Sequence, residues 1–162
     1  MHLPNHINPD HFLETSDGRV DTPERGKAAW ELAYSELARQ LSVVGALGTL
    51  YVVCGLQGSG KSTWVNRNAA AAGEHAVFFD AALPSRKHRS RALGLAASTA
   101  TPAVAVWVNV PVEVALRRNA ARSQSERVPE HIIEHVLEQL EPPSTHEGFV
   151  RVVAVNASET SA

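Results

Sequence analysis

Apolar positions in this chain change period several times, and the changes mark out its elements. Four short runs are almost continuously apolar: 49–54, 75–80, 103–110 and 149–155. Runs of this length, rich in valine, phenylalanine and leucine, predict strands buried on both faces of a parallel sheet. The stretches between them follow helical spacing. Trp30, Tyr34, Leu37 and Leu41 lie along one face, and Ile132, Ile133, Val136, Leu137 and Leu140 form another stripe. Thr22-Pro23-Glu24 reads as cap, first-turn proline and first-turn acid, Gly73 as a helix stop, and Pro142-Pro143 as another. Strands alternating with helices predict an α/β three-layer fold, a mostly parallel sheet of about four strands preceded by an N-terminal helix. Residues 1–21 carry Pro4, Pro9, Gly18 and few apolar positions, which predicts an extended or poorly ordered segment. A single domain is expected over 22–156, with a tail over 157–162.

Composition changes this picture little, but charge placement changes it more. The chain has 162 residues, 44% apolar and 20% charged, as soluble globular proteins do. No run has the length of a membrane span and the N-terminus lacks the form of a signal peptide. The single cysteine, Cys54, cannot form an internal disulfide, so a cytoplasmic setting is expected. Net charge is −2, yet the eight arginines and lysines between Pro84 and Arg127 face only Glu113 and Glu126. That excess suits a phosphate-rich ligand. His2, His6 and His11 fall in the N-terminal segment without the cysteines or fixed spacing of a metal site.

The chemistry is densest at Gly55-Leu56-Gln57-Gly58-Ser59-Gly60-Lys61-Ser62-Thr63, which fits the phosphate-binding pattern G-x-x-x-x-G-K-[ST]. A predicted strand precedes it and an alanine-rich helix follows. Glycines allow successive backbone N–H groups to point at one anion, and the helix start adds partial positive charge. The expected ligand is a nucleoside triphosphate with Mg²⁺. Gly55, Gln57, Gly58, Ser59 and Gly60 form the cradle, Lys61 reaches the β- and γ-phosphates, Ser62 holds the metal and Thr63 meets another phosphate oxygen.

Two further groups stand out. Asp80 ends the second predicted strand, and ligands of open α/β sheets lie off the carboxyl ends of strands, so it is expected at the phosphates; capping the next helix is its other possible role. Arg86 and Arg89 share one face of the basic helix that follows. Arg118 and Arg122 lie four apart, so their guanidinium groups can converge on one anion.

The order of these motifs resembles that of P-loop kinases of the polynucleotide 5′-kinase type, with a nucleoside monophosphate kinase fold. The likeness covers roughly residues 49–155: the P-loop; Asp80 with Arg86 and Arg89; Arg117-Arg118-Asn119 with Arg122 and Arg127-Val128-Pro129; and Glu141-Pro142-Pro143 with Glu147-Gly148-Phe149. It implies transfer of the ATP γ-phosphoryl to a hydroxyl, favouring a polynucleotide 5′ end over a small-molecule acceptor. It also implies a lid in which Arg122, then Arg118, closes over the phosphates, and an acceptor phosphate held by Arg86 and Arg89. Lys61, Asp80 and Arg122 are the expected catalytic residues, with Asp80 either accepting the hydroxyl proton or orienting the water shell of a metal on Ser62. Such kinases carry a second strand-end acid. Here only Asp80 follows the P-loop helix, so the spacing predicts loss of one strand and its acceptor-binding segment. An ATP-binding switch that transfers nothing is the rival reading, and the length leaves no room for the second subdomain of a motor ATPase.

Overall fold

The computed structural model describes residues 2–160. In chain order the elements are β1 (His6–Ile7), the ribbon β2 (Glu14–Thr15) and β3 (Gly18–Arg19), α1 (Pro23–Val44), β4 (Thr49–Cys54), α2 (Lys61–Ala72), β5 (Ala76–Asp80), α3 (Arg86–Ser98), β6 (Ala103–Val108), α4 (Val112–Ala120), α5 (Glu130–Glu138) and β7 (Arg151–Val155). The main sheet runs β1-β5-β4-β6-β7 with every pair parallel. The four apolar runs are its four long strands, as expected of a P-loop NTPase fold, and the P-loop strand β4 is central.

Successive side chains of a strand point to opposite faces, so each strand feeds two cores. Leu50, Val52, Val77 and Phe79 pack with Ala33, Tyr34, Leu37 and Leu41 of α1 and with Ala92 and Ala96 of α3. Val53, Phe78, Val104 and Val106 pack on the other side with Val65 of α2, Ala115 of α4, and Ile133 and Val136 of α5. Cys54 is buried, and burial pushes its thiol up to about 11, which keeps it protonated and unreactive. Among the described residues no helix is long and apolar enough to cross a membrane.

The N-terminal segment, expected to be extended or poorly ordered, is tied into the domain by hydrogen bonds. Asn5 accepts a backbone hydrogen bond from Phe78 N at 2.8 Å and its side-chain Nδ2 donates to Ala76 O at 2.9 Å. Gln40 of α1 donates to Pro4 O at 2.8 Å. β1 thereby becomes a fifth strand on the outer edge of β5, and the 3₁₀ turn Pro9–Leu13 buries Leu13 against α1. A two-residue strand has no readable period, so only its tertiary partners reveal it. At the other end, residues 157–160 of the expected tail form a 3₁₀ turn with Thr160 buried; Met1, Ser161 and Ala162 lie outside the described residues.

Arg89 also departs from expectation. It is 1% exposed and its Nε and Nη2 donate to the two carboxylate oxygens of Glu147 at 2.8 and 2.9 Å, while Nη1 donates to Leu83 O. The pair fastens α3 to the capped turn Thr145–Glu147 that leads into β7. Arg89→Met leaves the Glu147 carboxylate buried and unpaired, and should cost about 3–5 kcal/mol in urea unfolding. Replacing both partners with apolar residues should cost less; equal losses for the single and double variants refute the pairing.

His2, His6 and His11 pack together, His2 and His11 stacked at 3.5 Å and His6 edge-on to His11 at 4.9 Å. Burial, then the charges of His2 and His6, lower the His11 pKa from 6.5 to about 4. The unfolded chain therefore binds a proton there below about pH 6.5 that the folded chain refuses until about pH 4. Stability should fall as pH drops through that window. His11→Asn should flatten the melting temperature between pH 6.5 and 4, and a wild-type melting temperature that stays constant across it overturns this reading.

Candidate functional site

The site is built around the turn between β4 and α2. Gly58 has φ +84° and Gly60 φ +101°, the left-handed region that glycine enters without penalty. A Cβ at Gly58 would strike Ala115 O of α4, and one at Gly60 would strike the Thr160 side chain. The loop is thus packed from behind by α4 and by the C-terminal turn. Arg118 completes that backing. Its Nη1 donates to Ser59 O at 2.9 Å and Thr160 Oγ1 at 2.7 Å, and its Nη2 donates to Ala157 O at 3.1 Å. The arginine expected in the lid is a clamp beneath the loop.

A cavity of about 240 Å³ opens on the other side of the loop. Gln57, Gly60, Lys61, Ser62 and Thr63 line it from the loop, Asp80 from β5, and Arg122 from the turn after α4. Gly55 and Ser59 belong to the loop without lining this cavity. The buried Oγ of Ser59 and Oε1 of Gln57 have no hydrogen-bond partner among the described residues. Buried polar atoms without partners are costly; the Ser59 hydroxyl can donate to a phosphate oxygen, whereas the Gln57 amide oxygen only accepts and needs a donor. Lys61 is half-buried, its Nζ donating to Gly55 O at 3.1 Å and Leu56 O at 3.0 Å. Desolvation lowers its pKa, opposed chiefly by Asp80.

Asp80 is wholly buried. Its Oδ2 accepts from Ser62 Oγ at 2.7 Å and from His6 Nε2 at 2.7 Å, and its Oδ1 has no partner among the described residues. Burial alone would raise its pKa, but the His6 hydrogen bond and the Lys61 charge outweigh it and hold the carboxyl below its usual range. An ionised carboxylate with one open oxygen, touching a serine hydroxyl, fits a hard divalent cation. Asp80 is therefore no simple helix cap.

The structure brings together Gln57, Lys61, Ser62, Thr63, Asp80 and Arg122. Burial, followed by Arg19, lowers the Arg122 pKa, while Asp10, Glu126 and Asp80 oppose that shift. It does not bring in Arg86 or Arg89. Arg86 is exposed and reaches His146 O at 3.4 Å, and Arg89 is spent on Glu147. Three residues missing from the sequence expectations enter instead: His6, hydrogen-bonded to Asp80, and Asp10 and Trp30, which line the cavity. Asp10 N donates to Asn8 Oδ1 at 2.9 Å, and Asp10 Oδ2 lies 3.5 Å from Arg19 Nη1. The signal for Asp10 was Ile7-Asn8-Pro9-Asp10, an apolar residue, a cap-type asparagine and an acid, at the end of a strand too short to recognise.

This placement also revises the expectation of a lost strand. β1 occupies the sheet position outside β5, its carboxyl end carries an acid over the P-loop, and it comes from before β4 rather than from between α2 and β5.

A family model described as an AAA domain matches residues 65–143, a little under half of the chain. The matched stretch holds Asp80, Arg118 and Arg122 but neither the P-loop nor the N-terminal segment. No curated protein matches the chain. The family match and the parallel five-stranded sheet support a P-loop NTPase fold of the kinase-like, nucleotide-binding kind.

Proposed function

We propose that this chain transfers the γ-phosphoryl group of ATP to a hydroxyl, with a polynucleotide 5′-hydroxyl end as the acceptor. One observation carries this reading. Two carboxylates, Asp10 and Asp80, stand at the carboxyl ends of adjacent parallel strands and line one cavity with Lys61 and Arg122. A nucleotide switch needs only one acid, whereas transfer to a hydroxyl also needs a group to take the hydroxyl proton. The polynucleotide acceptor comes from the family resemblance and from the basic middle third of the chain.

The two acids divide the work by environment. Asp80 already accepts two hydrogen bonds and is held ionised, which makes it a poor proton acceptor and a good metal organiser. With Ser62 it would hold Mg²⁺. When bound, Mg²⁺ would offset the charge of the ATP phosphates. Asp10, whose side chain is 47% exposed, lines the cavity and is the acid that would accept the proton. Arg19 sets its orientation. Lys61 neutralises phosphate charge, and Arg122 meets the charge that grows on the γ-phosphoryl group as it transfers.

Lys61→Ala should weaken ATP binding by roughly tenfold or more, the worth of a charge-assisted hydrogen bond, and abolish turnover with the thermal melt intact. Calorimetric ATP affinity equal to wild type would remove the nucleotide assignment.

The two acids separate in a radiolabelled ATP assay against hydroxyl-ended oligonucleotides and small alcohols. Asp10→Asn should slow transfer by about two to four orders of magnitude, the range for loss of a general base, with no recovery in excess Mg²⁺. Asp80→Asn should also slow it, with partial recovery as Mg²⁺ is raised. The opposite pattern of recovery returns the base role to Asp80, and transfer to small alcohols alone excludes the polynucleotide acceptor.

A further inference from the structure

Trp30 belongs to the apolar stripe of α1, yet it is 37% exposed while Tyr34, one turn on, is 8% exposed. Its ring is backed by Tyr34 at 5.8 Å and by the edge of Phe79 at 6.4 Å. The side chain forms a wall common to the phosphate cavity and to an open groove of about 690 Å³ between α1 and α3. The groove is within the size range of small-ligand sites, and Gln139 and Glu141 are among the residues that line it.

The remaining wall has the chemistry of an anion with an aromatic body. Lys87 lines it and makes no ion pair among the described residues. Ser85 Oγ lies 2.6 Å from His88 Nδ1, which fixes the imidazole and leaves Nε2 to meet a ligand. Arg91 is committed: it lies 4.1 Å over the Tyr34 ring and holds Glu31 at 2.9 and 3.0 Å, so it braces the wall rather than carrying a free charge. Glu141 also lines the groove and repels phosphate, so an anion is favoured beside Lys87 rather than beside Glu141.

We propose that this groove holds the nucleotide that bears the accepting hydroxyl, in single-stranded form. Its base stacks on Trp30, its 3′-side phosphate lies beside Lys87 and His88, and its 5′-hydroxyl enters the phosphate cavity between Asp10 and Lys61. A small alcohol gains nothing from Trp30, so this residue sets acceptor specificity. The direction of phosphoryl transfer rests on the function proposed above, but binding in the groove is measured without it.

The test is fluorescence anisotropy of a 3′-labelled single-stranded octadeoxynucleotide ending in a 5′-hydroxyl, with no ATP present. Trp30→Ala should weaken binding roughly 5- to 150-fold, the range for one stacked base, and Trp30→Phe should retain most of it. Lys87→Ala should weaken binding with a shallower salt dependence. On the wild-type protein, an oligonucleotide abasic at its 5′ end should show the same loss as Trp30→Ala, which decides the matter even if that variant fails to fold. Equal affinity for abasic and intact ends, or no oligonucleotide binding by wild type, overturns the groove assignment. A wild-type protein that binds oligonucleotide but not ATP refutes the phosphotransferase reading and leaves the groove standing.

Discussion

One buried carboxylate organises the P-loop end of this molecule. Asp80 joins three segments distant in sequence: His6 of the edge strand, its own place at the end of β5, and Ser62 at the start of the P-loop helix. A carboxylate taken out of water is costly unless hydrogen bonds and nearby positive charge compensate. Here Ser62, His6 and Lys61 compensate together, so the edge strand, the nucleotide loop and the sheet must be in register for the charge to be tolerated. The same requirement leaves Asp80 Oδ1 buried without a hydrogen-bond partner among the described residues.

The N-terminal segment follows from that constraint. β1 is only two residues long and adds little sheet energy of its own. Asn5, Gln40 and the buried histidine compensate for its brevity with side-chain hydrogen bonds to neighbouring backbone and to Asp80. Once seated, the turn after it sets Asp10 over the phosphate cavity and carries the chain into α1, which brings Trp30 to the rim. A sheet position that the motif order lacked after α2 is thereby filled by chain that precedes the P-loop. Strand order in space, not order along the chain, decides which acids meet.

The basic middle third is divided between scaffold and site by burial. Arg89 and Arg118 are both bound inward, one to Glu147 and the other to the P-loop backbone and the C-terminal turn. Each satisfies several acceptors at once, which the planar guanidinium does better than an ammonium. Arg122 is left at the cavity, and Arg86 and Lys87 are exposed on α3.

What the sequence alone determined is what depends on local pattern. Four strands, of which β4, β5 and β6 are buried and β7 is a partly exposed edge, the helices between them, the P-loop and the strand-end Asp80 were legible because apolar runs, helical spacing and a glycine-rich turn are properties of neighbouring residues. Partnerships across the fold were not. Nothing near Arg89 or Arg118 in sequence shows that Glu147 and Thr160 will claim them, and nothing in two residues of β1 shows that they pair with β5. Asp10 and Trp30 reached the cavity, and His6 reached Asp80, only through that pairing and the docking of α1. Tertiary structure decided them because an edge strand's place, and an arginine's partner, are settled by which distant groups would otherwise be buried without hydrogen bonds.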